Sequence, residues 1–89
     1  MAIFPFNASI DLTTKGKRLA SWHVSQGTGA QTINFRNGGA AAQIVFQVQL
    51  VATSSASQAY PQSSMPFFSS GLYVEIVGTG FAIGSVDLV

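Results

Sequence analysis

The 89-residue chain has no cysteine, and only 8% of its residues are charged, against about 25% in an ordinary soluble domain. The first absence excludes a disulfide scaffold and a thiolate zinc site. The second leaves four basic and three acidic side chains and a net charge of +1, too little to steer the chain toward nucleic acid or an anionic membrane. No run approaches the 18 or so consecutive apolar residues of a membrane helix. The opening Met-Ala-Ile-Phe-Pro-Phe-Asn lacks a basic segment followed by an unbroken apolar one, so no secretory signal is expected. Without that route, the Asn7-Ala8-Ser9 sequon carries no meaning. Apolar residues make up 47% of the chain, which excludes a disordered chain of low hydrophobicity and high charge.

Period-two alternation dominates what is present. Phe4, Phe6, Ala8, Ile10 and Leu12 alternate with Pro5, Asn7, Ser9 and Asp11, the pattern of a strand with one buried face. Pro5 cannot donate to a ladder and predicts an edge position or a strand that begins after it. Leu19–Ser25 forms a second strand, with Ala20, Trp22 and Val24 on one face and Leu19, Ser21 and His23 on the other. A third covers Gln31–Arg36 with Ile33 and Phe35 inward, and ends in Asn37-Gly38-Gly39, a turn sequence. Gln43–Val51 is the longest, with Ile44, Phe46, Val48 and Leu50 on one face and an uncharged face of Gln43, Val45, Gln47, Gln49 and Val51 opposite. Leu72–Val77 and Phe81–Val89 close the chain.

Gly27-Thr28-Gly29 and Gly78-Thr79-Gly80 separate strands in the same layout and read as turns of two hairpins. Trp22, Phe35, Phe46 and Phe81 fall at positions expected to face the core. About seven short strands without helical periodicity predict an all-β fold, a small antiparallel β-sandwich or jelly roll. It forms one domain over residues 1–89, with 1–6 as a candidate N-terminal arm. Residues 52–68, rich in Ser, Ala and Gln, are expected as a long loop.

Catalysis at neutral pH draws on His, Cys, Asp, Glu or Lys in perturbed surroundings. The supply here is His23, Asp11, Glu75, Asp87, Lys15 and Lys17. No Gly-x-Ser-x-Gly elbow presents a nucleophile. One histidine and three scattered carboxylates match neither a zinc nor a calcium site, although Asp11 and Asp87 could meet if the first and last strands pair. Gly78-Thr79-Gly80 with Gly84 has the wrong spacing, and lacks the following helix, for a dinucleotide fingerprint. No catalytic residue, cofactor site or metal site is expected, and no small-molecule substrate. Lys15, Lys17 and Arg18 have no interleaved aromatics and read as a solvated turn. Phe4, Phe6, Tyr60, Met65, Phe67 and Phe68 lie near the arm and the long loop, where side chains are commonly exposed. For these six a contact role stands beside a core role.

Free domains keep a mixed-charge surface and guard their edge strands with Lys, Pro or bulges. Ser, Thr, Asn and Gln fill the polar positions here, and they can be covered by neighbours without burying an ion. Assembly with other copies or subunits is therefore expected.

The layout Arg18-Leu19, Trp22-His23-Val24-Ser25, Gly27-Thr28-Gly29 and Ile33-Asn34-Phe35-Arg36-Asn37-Gly38 resembles a recurrent pattern in small virion structural proteins of tailed bacteriophages. The stretch from Phe67-Phe68-Ser69-Ser70-Gly71-Leu72-Tyr73-Val74 to Gly84-Ser85-Val86 resembles their closing strands. The resemblance covers most of residues 18–50 and 66–89, rests on turns and strand patterns, and carries no catalytic residues. It implies a head decoration or cement protein on the virion capsid surface, made in the host cytoplasm. Its partners would be itself, with a trimer favoured, and the major capsid protein. A neck, tail or fibre-base component is the alternative. A carbohydrate-binding β-sandwich module, which needs Trp or Tyr exposed on a sheet face, is the other.

Overall fold

The computed structural model describes residues 2–28, 31–51, 55–78 and 81–89, the side chains of 26–28 and 81 excepted. The fold is the expected all-β sandwich, with eight strands among the described residues. These are β1 (Ala2–Phe6), β2 (Ile10–Leu12), β3 (Leu19–Thr28), β4 (Gln31–Asn37), β5 (Gln43–Leu50), β6 (Ser55–Ala59), β7 (Leu72–Gly78) and β8 (Phe81–Leu88). One sheet has the order β1-β8-β3-β6 and the other β2-β7-β4-β5.

The antiparallel pairs β1–β8, β2–β7, β3–β6 and β4–β5 nest inside one another, as in a single long hairpin. That ribbon is rolled up so that β8 also pairs with β3 and β7 with β4. A ribbon of eight strands rolled into two sheets is a jelly roll.

Rolling explains where the expected strands differ. The alternation from Phe4 to Leu12 is real, but the chain passes from one sheet to the other between Phe6 and Ile10. Phe6 and Leu12 are both buried because each sheet turns that face inward. The two Gly-Thr-Gly segments are not hairpin turns, since β3 and β4, and likewise β7 and β8, lie in different sheets. A strand's inward face can be covered from across the sandwich as well as from beside it, and alternation alone does not distinguish the two. Gly29, Thr79, Gly80 and the side chain of Phe81 lie outside the described residues. β4 and β5 are the consecutive strands that do pair, across the Asn37-Gly38-Gly39 turn.

Leu19 is buried rather than outward, because a register shift between Leu19 and Ser21 turns both Leu19 and Ala20 inside. The long loop contains β6, laid antiparallel on β3 from Ser21↔Ala59 to Ser25↔Ser55. A 3-10 turn, Gln62–Ser64, follows it. Ser-Ala-Ser-Gln-Ala offers little to pack, so this strand is held chiefly by its ladder. Ala2–Phe6 is an edge strand on β8, with Pro5 opposite Ser85.

Aromatic rings fill the space between the sheets. Phe35 stacks on Phe46 with centroids 4.4 Å apart and an interplanar angle of 16°, and its other neighbour Trp22 is tilted at 5.7 Å. Phe68 approaches Phe46 at 6.5 Å. The Trp22 indole N–H, which would otherwise be stranded in this core, donates to the Tyr60 hydroxyl at 3.1 Å. Gly84 supplies room for close approach: a Cβ there would lie 2.9 Å from the Phe6 ring and 2.3 Å from the His23 carbonyl oxygen.

Candidate interaction surface

The titratable side chains are dispersed. His23 is exposed on the outer face of the β1-β8-β3-β6 sheet, with Nε2 3.1 Å from the Ser25 hydroxyl. Asp11 pairs across to Tyr73 in one sheet and Asp87 to Ile3 in the other, so the two carboxylates do not meet. The Thr13 hydroxyl and amide both donate to Asp11 and hold its carboxyl below the usual aspartate range. Among the described residues no group of His, Asp and Glu is arranged to hold a metal ion, and no helix is long and apolar enough to cross a membrane.

On the outer face of the other sheet, β4, β5 and β7 bring four polar side chains into a ladder. Gln47 Nε2 donates to Asn34 Oδ1 at 2.9 Å, and Asn34 Nδ2 donates to Glu75 Oε1 at 2.7 Å. Arg36 reaches the same oxygen through its Nε and a terminal nitrogen, at 3.0 and 2.9 Å. Asn34 is buried beneath this layer, with its amide satisfied on both sides. The Asn34 amide first, and the Arg36 guanidinium second, hold the Glu75 carboxyl below the ordinary value of 4.5. Fewer protons are then bound to Glu75 in the folded than in the unfolded chain. Its contribution is present above the unfolded pKa and lost as pH falls through the lower folded one. Glu75→Gln should therefore flatten the acid side of the stability profile: denaturant midpoints measured from neutral pH down to about pH 2, below the ordinary carboxylate range, should fall less than in the parent. Parallel profiles would remove the ladder from the account.

The structure divides the six residues read as contact elements. Phe6 and Phe68 belong to the core, Phe68 with no exposed surface, and the contact role is withdrawn for both: a ring enclosed between sheets cannot meet a partner. Phe4 and Tyr60 are half-buried and pack against that core. Phe67 is 52% exposed, with the Arg18 guanidinium 4.9 Å from its ring centre. Met65 lines a shallow depression beside it with Arg18, Gln62 and Val89. The basic turn lies at the same corner, where Lys17 Nζ donates to the Ser69 carbonyl at 3.0 Å.

Alternation alone does not show which strands form the edges, and these differ in kind. β1 carries Pro5, β2 is three residues long with Asp11 exposed, and β6 is five small or polar residues. β5 is eight residues long and has neither a charge nor a proline. Its register with β4 shifts at Val45, a bulge that sets Ile44 opposite the outward Arg36 rather than on the inner face where alternation puts it; Val45 is exposed, and the inward-facing Phe46 and Val48 are half-buried against the core. β5 and β6 flank the same side of the sandwich, and no charged residue occurs between Asn37 and Val74. No family model matches the chain, and no curated protein or solved structure matches it.

Proposed function

We propose that the chain is a virion structural subunit, a decoration or cement protein that packs against copies of itself and against a capsid shell at capsomer joints. The observation that carries the assembly reading is the charge-free flank formed by β5 and β6, beside an eight-residue edge that is bulged at Val45 but carries neither a charge nor a proline. An isolated domain in water gains nothing from such an edge and risks uncontrolled pairing through it. A subunit covered by neighbours needs no charge there. Many copies burying modest uncharged patches would stabilise a shell through avidity.

The virion component of the reading rests on the resemblance of residues 18–50 and 66–89. The jelly roll is compatible with it, being common to capsid, lectin and cupin domains, but a fold does not select among functions. The carbohydrate-binding alternative has less support, because Trp22 is in the core and its N–H is bonded to Tyr60. A neck or tail position differs from a shell position in symmetry.

Light scattering over a dilution series should show an oligomer at micromolar concentration. A monodisperse monomer throughout would overturn the assembly reading. A density map of the assembled particle should place this chain on the icosahedral shell. Density along the tail axis would overturn the decoration assignment and favour the neck or tail alternative.

A further inference from the structure

We infer that the corner built from the basic turn, residues 15–18, and the segment carrying Phe67 receives an acidic segment of a different protein, with the Arg18 guanidinium donating to one of its carboxylates. The inference rests on the assembly reading above and gives the chemistry of the second partner, the one that is not a copy of the chain.

Three observations lead to this corner. First, it gathers charge. Lys15, Lys17 and Arg18 are three of the chain's four basic side chains, and all three are exposed. Among the described residues Arg36 with Glu75 is the one ion pair, so no carboxylate lies within 4.0 Å of the three. Second, it is held in place. The Leu19 amide donates to the Pro66 carbonyl at 3.0 Å, the Phe68 amide donates to the Lys17 carbonyl at 2.7 Å, and Arg18 forms a bridge to Phe67. Two of the cationic side chains are pinned as well, Lys17 on the Ser69 carbonyl at 3.0 Å and Arg18 over the Phe67 ring at 4.9 Å. A solvated turn leaves such side chains to water. Here they are ordered before a partner arrives, which lowers the cost of binding one. A guanidinium seated on an aromatic ring still has the N–H fork that matches a carboxylate. Third, apolar surface adjoins the charge. Phe67 and Val89 are both about half exposed, and Arg18, Gln62, Met65 and Val89 line an open depression of about 600 Å³.

These features choose among occupants. A second copy lacks an acidic segment: Asp11 is held by Thr13, Glu75 by Asn34 and Arg36, one oxygen of Asp87 is buried, and the three are far apart in sequence. A single-stranded nucleic acid calls for aromatic faces open to its bases, and the Phe67 ring has Arg18 over it. An acidic peptide with an aliphatic side chain meets both the cations and the depression. Each such contact is weak on a wet surface, and repetition over many subunits multiplies it.

The probe is a capped, labelled peptide of four glutamates around a central leucine, read by fluorescence anisotropy at about 0.1 M salt, where the Debye length is about 10 Å. The parent should bind it with a Kd below about 1 mM, and more tightly than a five-residue oligothymidylate whose four phosphates match its charge. Arg18→Gln should weaken the peptide at least about fivefold, and Phe67→Ala, which removes no charge, about threefold. Gln49→Glu lowers the net charge by as much as Arg18→Gln. It stands opposite Thr32, about 17 Å along β4 from Asn37, which is bonded to Ser69 at this corner, and it should bind like the parent. Circular dichroism should show all three variants folded. Equal weakening by Arg18→Gln and Gln49→Glu would reduce the contact to net charge and overturn it. So would an unchanged Phe67→Ala, tighter binding of the oligothymidylate, or a parent that binds neither probe. Each of these leaves self-assembly standing, because light scattering reads that separately. A monomeric parent that binds the peptide as stated would overturn self-assembly and keep this contact.

Discussion

Replacing Gly71 with alanine is expected to lower the melting temperature by about 15–30 °C, a loss of roughly 4 kcal/mol. Two costs act at this position. The backbone has φ = +94°, where an L-residue is disfavoured by about 1–2 kcal/mol. A Cβ would also lie 2.4 Å from both the Cα and the carbonyl oxygen of Thr13, and these are backbone atoms that no rotamer change can move. Relief would have to displace either the turn after β2 or the segment entering β7. The latter is fixed by the Gly71 amide donating to Phe68 and the Gly38 amide donating to Gly71. A domain of this size has about 4–13 kcal/mol in total, so the loss removes a large share of it. Gly39→Ala is the comparison: its φ is +151°, but nothing lies within 4 Å of the added Cβ. It should cost only the conformational part. Equal melting temperatures for the two variants would show that the contact with Thr13 is soft.

Phe35→Ala should be as severe for a different reason. Phe35 has no exposed surface and touches rings on both sides, Phe46 stacked at 4.4 Å and Trp22 tilted at 5.7 Å. Truncating a fully buried phenylalanine costs about 3–5 kcal/mol, of which ring pairing supplies about 0.5–1.5 per pair. Neither sheet can close the gap without losing register, because β4 is the interior strand that holds both β5 and β7. Urea denaturation should therefore show a midpoint lower than the parent's by more than about 1 M. Phe67→Ala should lose no more than about 1 kcal/mol, the value of an exposed cation–π contact. A Phe35→Ala midpoint close to that of Phe67→Ala would contradict the placement of the core.

Much of the layering was legible because a strand's period is two and the core selects one face. Ile33 and Phe35, and Trp22 and Val24, face inward as alternation requires. The uncharged outer face of Gln43–Val51 was legible too. Its position at a sheet edge was not, because strand order depends on residues far apart in the chain. For the same reason the crossing at Asn7–Ser9 was hidden: alternation continues unchanged when a chain steps between two sheets that face each other. β6 left no apolar signal, since Ser-Ala-Ser-Gln-Ala contributes a ladder and little else. The Glu75 ladder was hidden in a similar way. Asn34, Arg36, Gln47 and Glu75 are ordinary outward polar residues until the β4–β7 register sets Asn34 opposite Glu75. Phe6 and Phe68 were ambiguous because proximity to an arm or a loop does not reveal that Gly84 leaves room for one ring, or that the Phe68 amide, donating to the Lys17 carbonyl at 2.7 Å, anchors the segment that carries the other.

The nesting of the strands also fixes an order of events during synthesis. Of the eight strands β8 is made last, and it lies between β1 and β3, with Leu88 opposite Ala2. While the chain emerges from the ribosome, β1 has no partner and its sheet lacks an interior strand. The innermost pair, β4 and β5, can close as soon as its turn is out. Each outer pair must then close a longer loop, which slows the search. The uncharged edge of β5 is thus among the first structured surfaces to form, and none of the strands that follow it pairs with that edge.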